Sequence, residues 1–169
     1  MPARLMLSLP DQQATWALGR RLAGLIRPGD VIALRGVLGS GKTELARALL
    51  RARAGAEIEV PSPSYTLVQD YRFPDLLIRH IDLYRIQQPA ELLELGLDAP
   101  GAGEAWLIEW PERAEAVLPA DRLDLELRQG AAPDARIAHL NGGRSWIERL
   151  EVLRGSSGTG VPPGRHRTT

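Results

Sequence analysis

The chain of 169 residues contains no cysteine. That absence excludes disulfides and thiolate-held metals, and it fits a reducing compartment. No apolar stretch approaches the roughly 18 residues of a membrane-crossing helix, and Met1 to Pro10 hold no long apolar leader-type run. A soluble, cytoplasmic protein with no membrane partner is the expectation. Net charge is missing as well: 21 Lys and Arg balance 21 Asp and Glu, so no global basic field draws the molecule to nucleic acid or anionic lipid. No internal repeat is visible. Lysine is all but absent, because Lys42 is the one lysine among those 21 basic residues and the rest are arginine. Position 42 therefore rejects an exchange that every other basic position accepts. A guanidinium is a wide planar fork, whereas an ammonium is a compact charge on a flexible stem that fits a cramped nest of backbone N–H groups.

What surrounds Lys42 explains the preference. Gly36-Val37-Leu38-Gly39-Ser40-Gly41-Lys42-Thr43 matches G-x-x-x-x-G-K-[ST], the phosphate-binding loop of P-loop NTPases. The context agrees with the motif. Asp30 to Arg35 reads as a buried parallel strand after Pro28-Gly29, and Thr43 to Arg53 reads as a helix without Pro or Gly. In such a loop Gly36, Gly39 and Gly41 permit close backbone approach, and successive N–H groups converge on a β-phosphate at a helix N-terminus. Lys42 would reach the β/γ oxygens and the Thr43 hydroxyl would ligate Mg²⁺. A nucleoside triphosphate site follows.

Organisation along the chain is that of one α/β unit, residues 1–154, followed by a tail at 155–169 expected to be disordered. Pro10-Asp11 offers a helix N-cap, with Ala14, Leu18, Leu22, Leu25 and Ile26 at helical spacing. Ser64 to Phe73 alternates loosely, Pro74-Asp75 marks a turn, and Leu76 to Ile81 resumes as strand. Ala90 to Leu95 is a short helix after Pro89, closed by Gly96. Ala105 to Ile108 is a brief buried strand, and Pro111 starts a helix over Glu112 to Val117. Leu123, Leu125 and Leu127 alternate with charges, Ala135 to Leu140 is a further strand, and Asn141 to Gly143 a turn. Trp146, Ile147, Leu150 and Leu153 mark a final helix.

A phosphate loop needs a metal-positioning carboxylate at the end of a neighbouring strand. Glu109 follows the uninterrupted apolar run Ala105-Trp106-Leu107-Ile108, and Asp82 follows a strand broken by Arg79 and His80. On pattern Glu109 is the better Mg²⁺ partner; either acid alone would read equally well as a solvated strand end. Pro61-Ser62-Pro63-Ser64-Tyr65-Thr66-Leu67 is either a surface loop with Ser-Pro turns or a segment that orders around γ-phosphate and Mg²⁺.

In order, the phosphate loop, S-P-S-Y-T-L-V, H-I-D-L-Y-R-I and L-I-E-W-P-E resemble the TsaE (YjeE) family of bacterial ATPases, as does the opening Leu9 to Thr15. The likeness covers about residues 5 to 150. That family takes part in making the threonylcarbamoyladenosine (t6A) modification of tRNA. The chain departs from the usual pattern at Val37, where an Asp is common, at Ser40 for Ala, at Glu44 for Thr and at Ser64 for Thr. Val37 removes a carboxylate near the nucleotide, while Ser64 keeps the hydroxyl.

The resemblance implies a P-loop NTPase fold, three layers α/β/α around a mixed, mainly parallel sheet, with ATP and Mg²⁺ as ligands. Gly39, Ser40, Gly41, Lys42, Thr43 and Glu44 would wrap the phosphates, and Thr43 and Glu109 would hold the metal. Ser64 or Thr66 would sit near the γ-phosphate. Asp82 would orient or deprotonate the attacking water, or stand behind the metal. His80 either fixes Asp82 by a hydrogen bond or is a core histidine; Trp110 shapes the site, meets a partner or packs at a strand end. Arg85 and Arg113 either stabilise phosphate charge or solvate a surface, and the Asp11–Thr15 region would approach the adenine. The implied role is slow ATP hydrolysis that resets a TsaB–TsaD pair, with tRNA reached only through that pair. A nucleotide-dependent docking module and a small P-loop kinase are the alternatives, although no arginine-rich lid is present. A guanine-reading N-K-x-D segment is excluded, since the only lysine is in the loop.

Overall fold

Two kinds of apolar pattern build the sheet. Continuous runs form its middle: β2 (Val31–Arg35) and β5 (Glu104–Glu109) keep Val31, Ile32, Ala33 and Leu34, and Ala105 to Ile108, almost wholly out of solvent. Strands covered on both faces need no polar side, and they pair in parallel from Val31↔Trp106 to Leu34↔Glu109. Alternating runs form the flank. In β6 (Leu123–Gln129), Leu123, Leu125 and Leu127 point inward while Asp124 and Glu126 stay half-exposed. The computed structural model describes residues 2–156; the tail expected to be disordered lies, beyond Ser156, outside the described residues.

With β1 (Ala3–Leu9), β3 (Val68–Arg72), β4 (Leu77–Asp82) and β7 (Arg136–Gly142), the order is β1-β7-β6-β2-β5-β4-β3. The β2, β4, β5 and β6 strands are parallel neighbours, and β7 and β3 run against them. Since β1 is antiparallel to β7, it shares the direction of the central four. The sheet is mixed, with most strands pointing one way, as expected.

Helices α1 (Gln12–Ala23), α2 (Lys42–Ala54) and α4 (Ile147–Gly155) cover one face through Leu18, Leu22, Leu45, Leu49, Leu150 and Leu153. Burial of each such leucine contributes roughly 1.5–3 kcal/mol. On the other face Leu83, Ile86, Leu97, the short α3 (Ala90–Glu94) and a 3₁₀ segment (Pro111–Val117) pack over Val31, Ile81, Trp106 and Ile108. Asp11 caps α1 as its position suggests, accepting from the Ala14 N–H at 2.8 Å.

Four local expectations change. The N-terminal β1 has no counterpart in the sequence reading; Leu5, Leu7 and Leu9 alternate there, and pairing with β7 supplies the partner a lone edge strand requires. The strand expected over Ser64 to Phe73 is confined to Val68–Arg72, because Leu67 N–H donates to Pro63 O at 2.8 Å and Leu67 turns to φ +65°. Asn141 and Gly142 extend β7 rather than turn. Glu112 to Val117 is 3₁₀ and broken at Ala114 rather than α-helical.

Candidate functional site

The loop between β2 and α2 is forced open by its glycines. Gly36, Gly39 and Gly41 have φ of +145°, +79° and +105°, a region side chains avoid. At Gly36 a Cβ would also collide with Ser40 Oγ and lie 2.8 Å from Leu127 O. Lys42 opens α2 and is buried; its ammonium donates to Gly36 O and, at 3.2 Å, to Val37 O, and it lies 3.9 Å from the Trp110 ring centroid. Burial pulls the Lys42 ammonium below its ordinary value, opposed by the negative charges of Glu109, Glu112 and Asp82.

Next to the loop stand two carboxylates in register, Asp82 ending β4 and Glu109 ending β5. Both are buried. Glu109 Oε1 accepts from the Thr43 hydroxyl at 2.7 Å, and Oε2 accepts from His80 Nε2 at 2.6 Å. Burial alone would raise the Glu109 carboxyl, yet the hydrogen bond and charge of His80, the Thr43 hydroxyl and the Lys42 charge hold it below the usual carboxylate range. Asp82 accepts from Ser64 Oγ at 3.1 Å and from the Tyr84 N–H at 2.9 Å. Ser62 and Ser64 hydroxyls meet at 2.8 Å.

These groups line one cleft of about 480 Å³ that runs from Leu38 to Glu44 and takes in Ser64, Tyr65, Asp82, Tyr84, Arg85, Glu109 and Trp110. Size does not single it out, since a cleft of about 590 Å³ lies on the sheet face near Met6 and His139. Convergent chemistry does. Trp110, which lines the cleft, has a positive φ, as does Leu67, whose carbonyl accepts from the Asp82 N–H at 2.9 Å, and Tyr84 and Trp110 rings sit 5.0 Å apart. Strain of this kind collects at functional sites.

Several expected residues therefore meet. Gly39, Ser40, Gly41, Lys42, Thr43, Ser64, Asp82 and Glu109 surround a single space, whereas Gly36 does not line it and meets the site through its carbonyl, which accepts from Lys42. His80 does not touch Asp82 as expected; its Nε2 goes to Glu109, one strand over. Thr66 is exposed and does not line the cleft, so Ser64 is the hydroxyl brought to the carboxylates. Glu44 also lines the cleft, but its carboxylate is taken up by the Trp16 indole N–H at 3.0 Å, from α1, and by Arg47. Arg85 lines the cleft with its guanidinium 4.2 Å from the Tyr65 ring, whereas Arg113 lies 5.7 Å from the Tyr84 ring, outside it. Thr15 Cγ2 approaches the space beside Gly41, so the start of α1 abuts the loop. Two contacts were not foreseen: the Tyr84 N–H on Asp82, which sits two residues beyond that acid, and Arg136, whose guanidinium reaches the loop from β7 with no signal in its own neighbourhood.

Among the described residues no three His, Cys, Asp or Glu side chains converge to cage a metal. Mg²⁺ at nucleotides takes one or two protein groups and fills its shell with phosphate oxygens and water, and the Thr43 hydroxyl hydrogen-bonded to a buried, ionised Glu109 is a donor set of that kind.

Strand, glycine loop and helix, with acids ending the next two parallel strands, define the class: a P-loop NTPase fold. The model of one family, described as Threonylcarbamoyl adenosine biosynthesis protein TsaE, matches residues 9–137. Proteins named tRNA threonylcarbamoyladenosine biosynthesis protein TsaE are similar to the chain. The one from Haemophilus influenzae is 34% identical over 149 residues, 82% of this chain and 92% of its own length. The one from Bacillus subtilis is 32% identical over 144 residues, 85% and 89% respectively, and the one from Rickettsia bellii 33% over 120 residues, 71% and 83%. The crystal structure of Bacillus subtilis YdiB superposes with a TM-score of 0.73 at 26% identity, covering 92% of this chain and 98% of that one. The chain belongs to the TsaE family of threonylcarbamoyladenosine biosynthesis proteins. Among the described residues no helix is long and apolar enough to cross a membrane.

Proposed function

We propose that the chain is a Mg²⁺-dependent ATPase of t6A formation in the cytoplasm, binding a TsaB–TsaD pair and resetting it by hydrolysing ATP, with tRNA reached through that pair. The observation that carries this reading is the Thr43–Glu109 hydrogen bond beside the loop and one strand from a second buried acid, Asp82. Bound at Thr43 and Glu109, Mg²⁺ would neutralise charge on the β- and γ-phosphates. The N–H groups of Gly39, Gly41, Lys42 and Thr43 would cradle the phosphates, with the backbone of Glu44 beside them, while the Ser40 N–H closes the loop's turn on Val37 O. Lys42 would exchange the Gly36 and Val37 carbonyls for phosphate oxygens. A partly desolvated ammonium gains more from such an exchange than a hydrated one.

Asp82 is the group for the attacking water. As the water oxygen bonds to the γ-phosphorus, the bond from that phosphorus to the β–γ bridging oxygen breaks and ADP leaves with the oxygen. The water's proton passes to Asp82. Ser64 ties that carboxylate to the 62–67 loop, so the loop's position and the base's position are coupled. Little covalent chemistry falls to the protein, whose contribution is position and charge. A resetting factor gains from slow turnover in isolation, because ATP is then spent only on the partner.

The test is steady-state hydrolysis by the purified chain, alone and with a TsaB–TsaD pair plus tRNA, with Lys42→Ala as control. Slow turnover that rises with the partners and vanishes in the control is expected. ATP binding without hydrolysis under every condition would overturn the enzyme in favour of a docking module, a role for which Val37 and Leu38, 76% and 82% exposed at the loop's crest, present apolar surface.

A further inference from the structure

Arg136 opens β7, paired with Leu9 on one side and Gln129 on the other. Its guanidinium makes four contacts, all to carbonyl oxygens. Nε donates to Ser40 O at 2.8 Å and Nη2 to Gly39 O at 3.2 Å, so one fork takes two successive carbonyls of the phosphate loop. Nη1 donates to Pro133 O at 2.8 Å and Ala135 O at 2.7 Å, in the connection between β6 and β7. Among the described residues Arg136 forms no ion pair with a carboxylate, and the hydrogen bonds of its guanidinium are these four.

Peptide groups are planar and trans, so the C=O and N–H of one unit point in opposite directions. Holding the Gly39 and Ser40 carbonyls from the β7 side therefore turns the N–H groups of Ser40 and Gly41 the other way. Ser40 N–H closes the loop's own turn on Val37 O at 3.0 Å, and Gly41 N–H is the donor left to face an anion. Both glycines sit at positive φ with no side chain to fix them, and an unbraced loop of this kind has many conformations to lose on binding. A cation behind the carbonyls also polarises those peptide units and adds positive potential at the loop.

We infer that Arg136 is a positioning residue for nucleotide binding: it presets the outer wall of the phosphate loop from the β7 strand and ties that wall to the Gly130–Ala135 connection. This rests on the nucleotide reading of the loop. Because the brace acts before any bond is broken, it stabilises the bound ground state and the transition state alike and appears in KM rather than in kcat.

The experiment measures ADP and ATP affinity by calorimetry, together with KM and kcat, for the full chain and its Arg136→Gln, Arg136→Lys and Lys42→Ala forms. Melting temperatures are taken without nucleotide. Arg136→Gln is expected to weaken ADP and ATP alike by about tenfold and to leave kcat within about twofold. Arg136→Lys keeps the charge but not the fork, and recovers part of that loss, to about threefold. Wild-type affinity in Arg136→Gln, alongside loss of binding in Lys42→Ala, overturns the brace and leaves the nucleotide reading intact. So does a fall in kcat at unchanged KM. Absence of ADP and ATP binding in the wild-type chain overturns the nucleotide reading and the brace with it. Should Arg136→Gln melt far below wild type, Arg136→Lys decides, with unchanged affinity counting against the brace.

Discussion

Glu109 and Asp82 end neighbouring parallel strands in the same register, 2% and 3% exposed. Their partners differ in kind. Glu109 is gripped from fixed elements, by Thr43 in the first turn of α2 and by His80 inside β4. Asp82 is gripped from connections, by Ser64 in the 62–67 loop and by the Tyr84 N–H just past its strand. On the function proposed above, equal burial would serve two purposes: a carboxylate locked by a helix and a strand is suited to hold an ion in one place, and one held by a loop hydroxyl is suited to meet the attacking water.

The sharpest way to break this comparison is Glu109→Gln. The amide keeps the volume, replaces one acceptor oxygen with a donor and removes the charge that a Mg²⁺ ion would meet. Mg²⁺-dependent hydrolysis is expected to fall by on the order of a thousandfold. Nucleotide affinity measured without metal should stay near wild type. Wild-type Mg²⁺ dependence in this variant would remove Glu109 from the metal and end the distinction.

Asp82→Asn comes next. A fall of about a hundredfold in kcat is expected, the size of a lost general base, with the Mg²⁺ concentration for half-maximal activity unchanged. A rise in that concentration matching the one in Glu109→Gln would mean that both acids serve the metal.

How much of this was legible in the sequence follows from which contacts are local. The phosphate loop is a contiguous string whose backbone geometry is set by its own glycines, so Gly36 to Thr43 could be placed before any fold was known. The two acids were legible as ends of apolar strands. Their partners were not. Residues two apart on a strand share a face about 7 Å apart, which makes His80 and Asp82 look like neighbours, but the pairing of β4 with β5 brings Glu109 closer to the imidazole. Register belongs to the folded sheet and is written in neither strand alone. Ser64 and Thr66 are likewise interchangeable as text; the turn at Leu67 decides which hydroxyl faces Asp82. Trp16 with Glu44 and Arg136 with Ser40 join residues 28 and 96 positions apart, beyond the reach of any periodicity.

His80→Asn probes the fixed grip. His80 is fully buried, and among the described residues its Nδ1 has no hydrogen-bond partner and Glu109 is the one polar contact of its side chain. Without the imidazole, the Thr43 hydroxyl is the hydrogen-bond donor left to the Glu109 carboxylate among the described residues, and Mg²⁺ affinity is expected to weaken about tenfold. Titration of Mg²⁺ at saturating ATP reads this directly. If metal-free ATP affinity drops equally, the imidazole supports the sheet as a whole rather than the carboxylate.

The smallest expected effect belongs to the loop side. Ser64→Ala removes a hydroxyl whose bond to Asp82 is 3.1 Å long and part-buried, and one such bond contributes about 1 kcal/mol. Asp82 retains the Tyr84 N–H, so the acid stays in place and only its tie to the loop is cut. The expected result is a fall in kcat of about fivefold, with Mg²⁺ dependence and ADP affinity unaltered. Ser64→Thr, which restores the hydroxyl, should recover most of it. The comparison becomes sharper still if the deficit disappears in the Asp82→Asn background, because a hydroxyl that works only through Asp82 has nothing left to position there. A full, additive deficit in the double variant would instead give Ser64 a task of its own at the phosphates, and the loop would then contribute chemistry as well as placement.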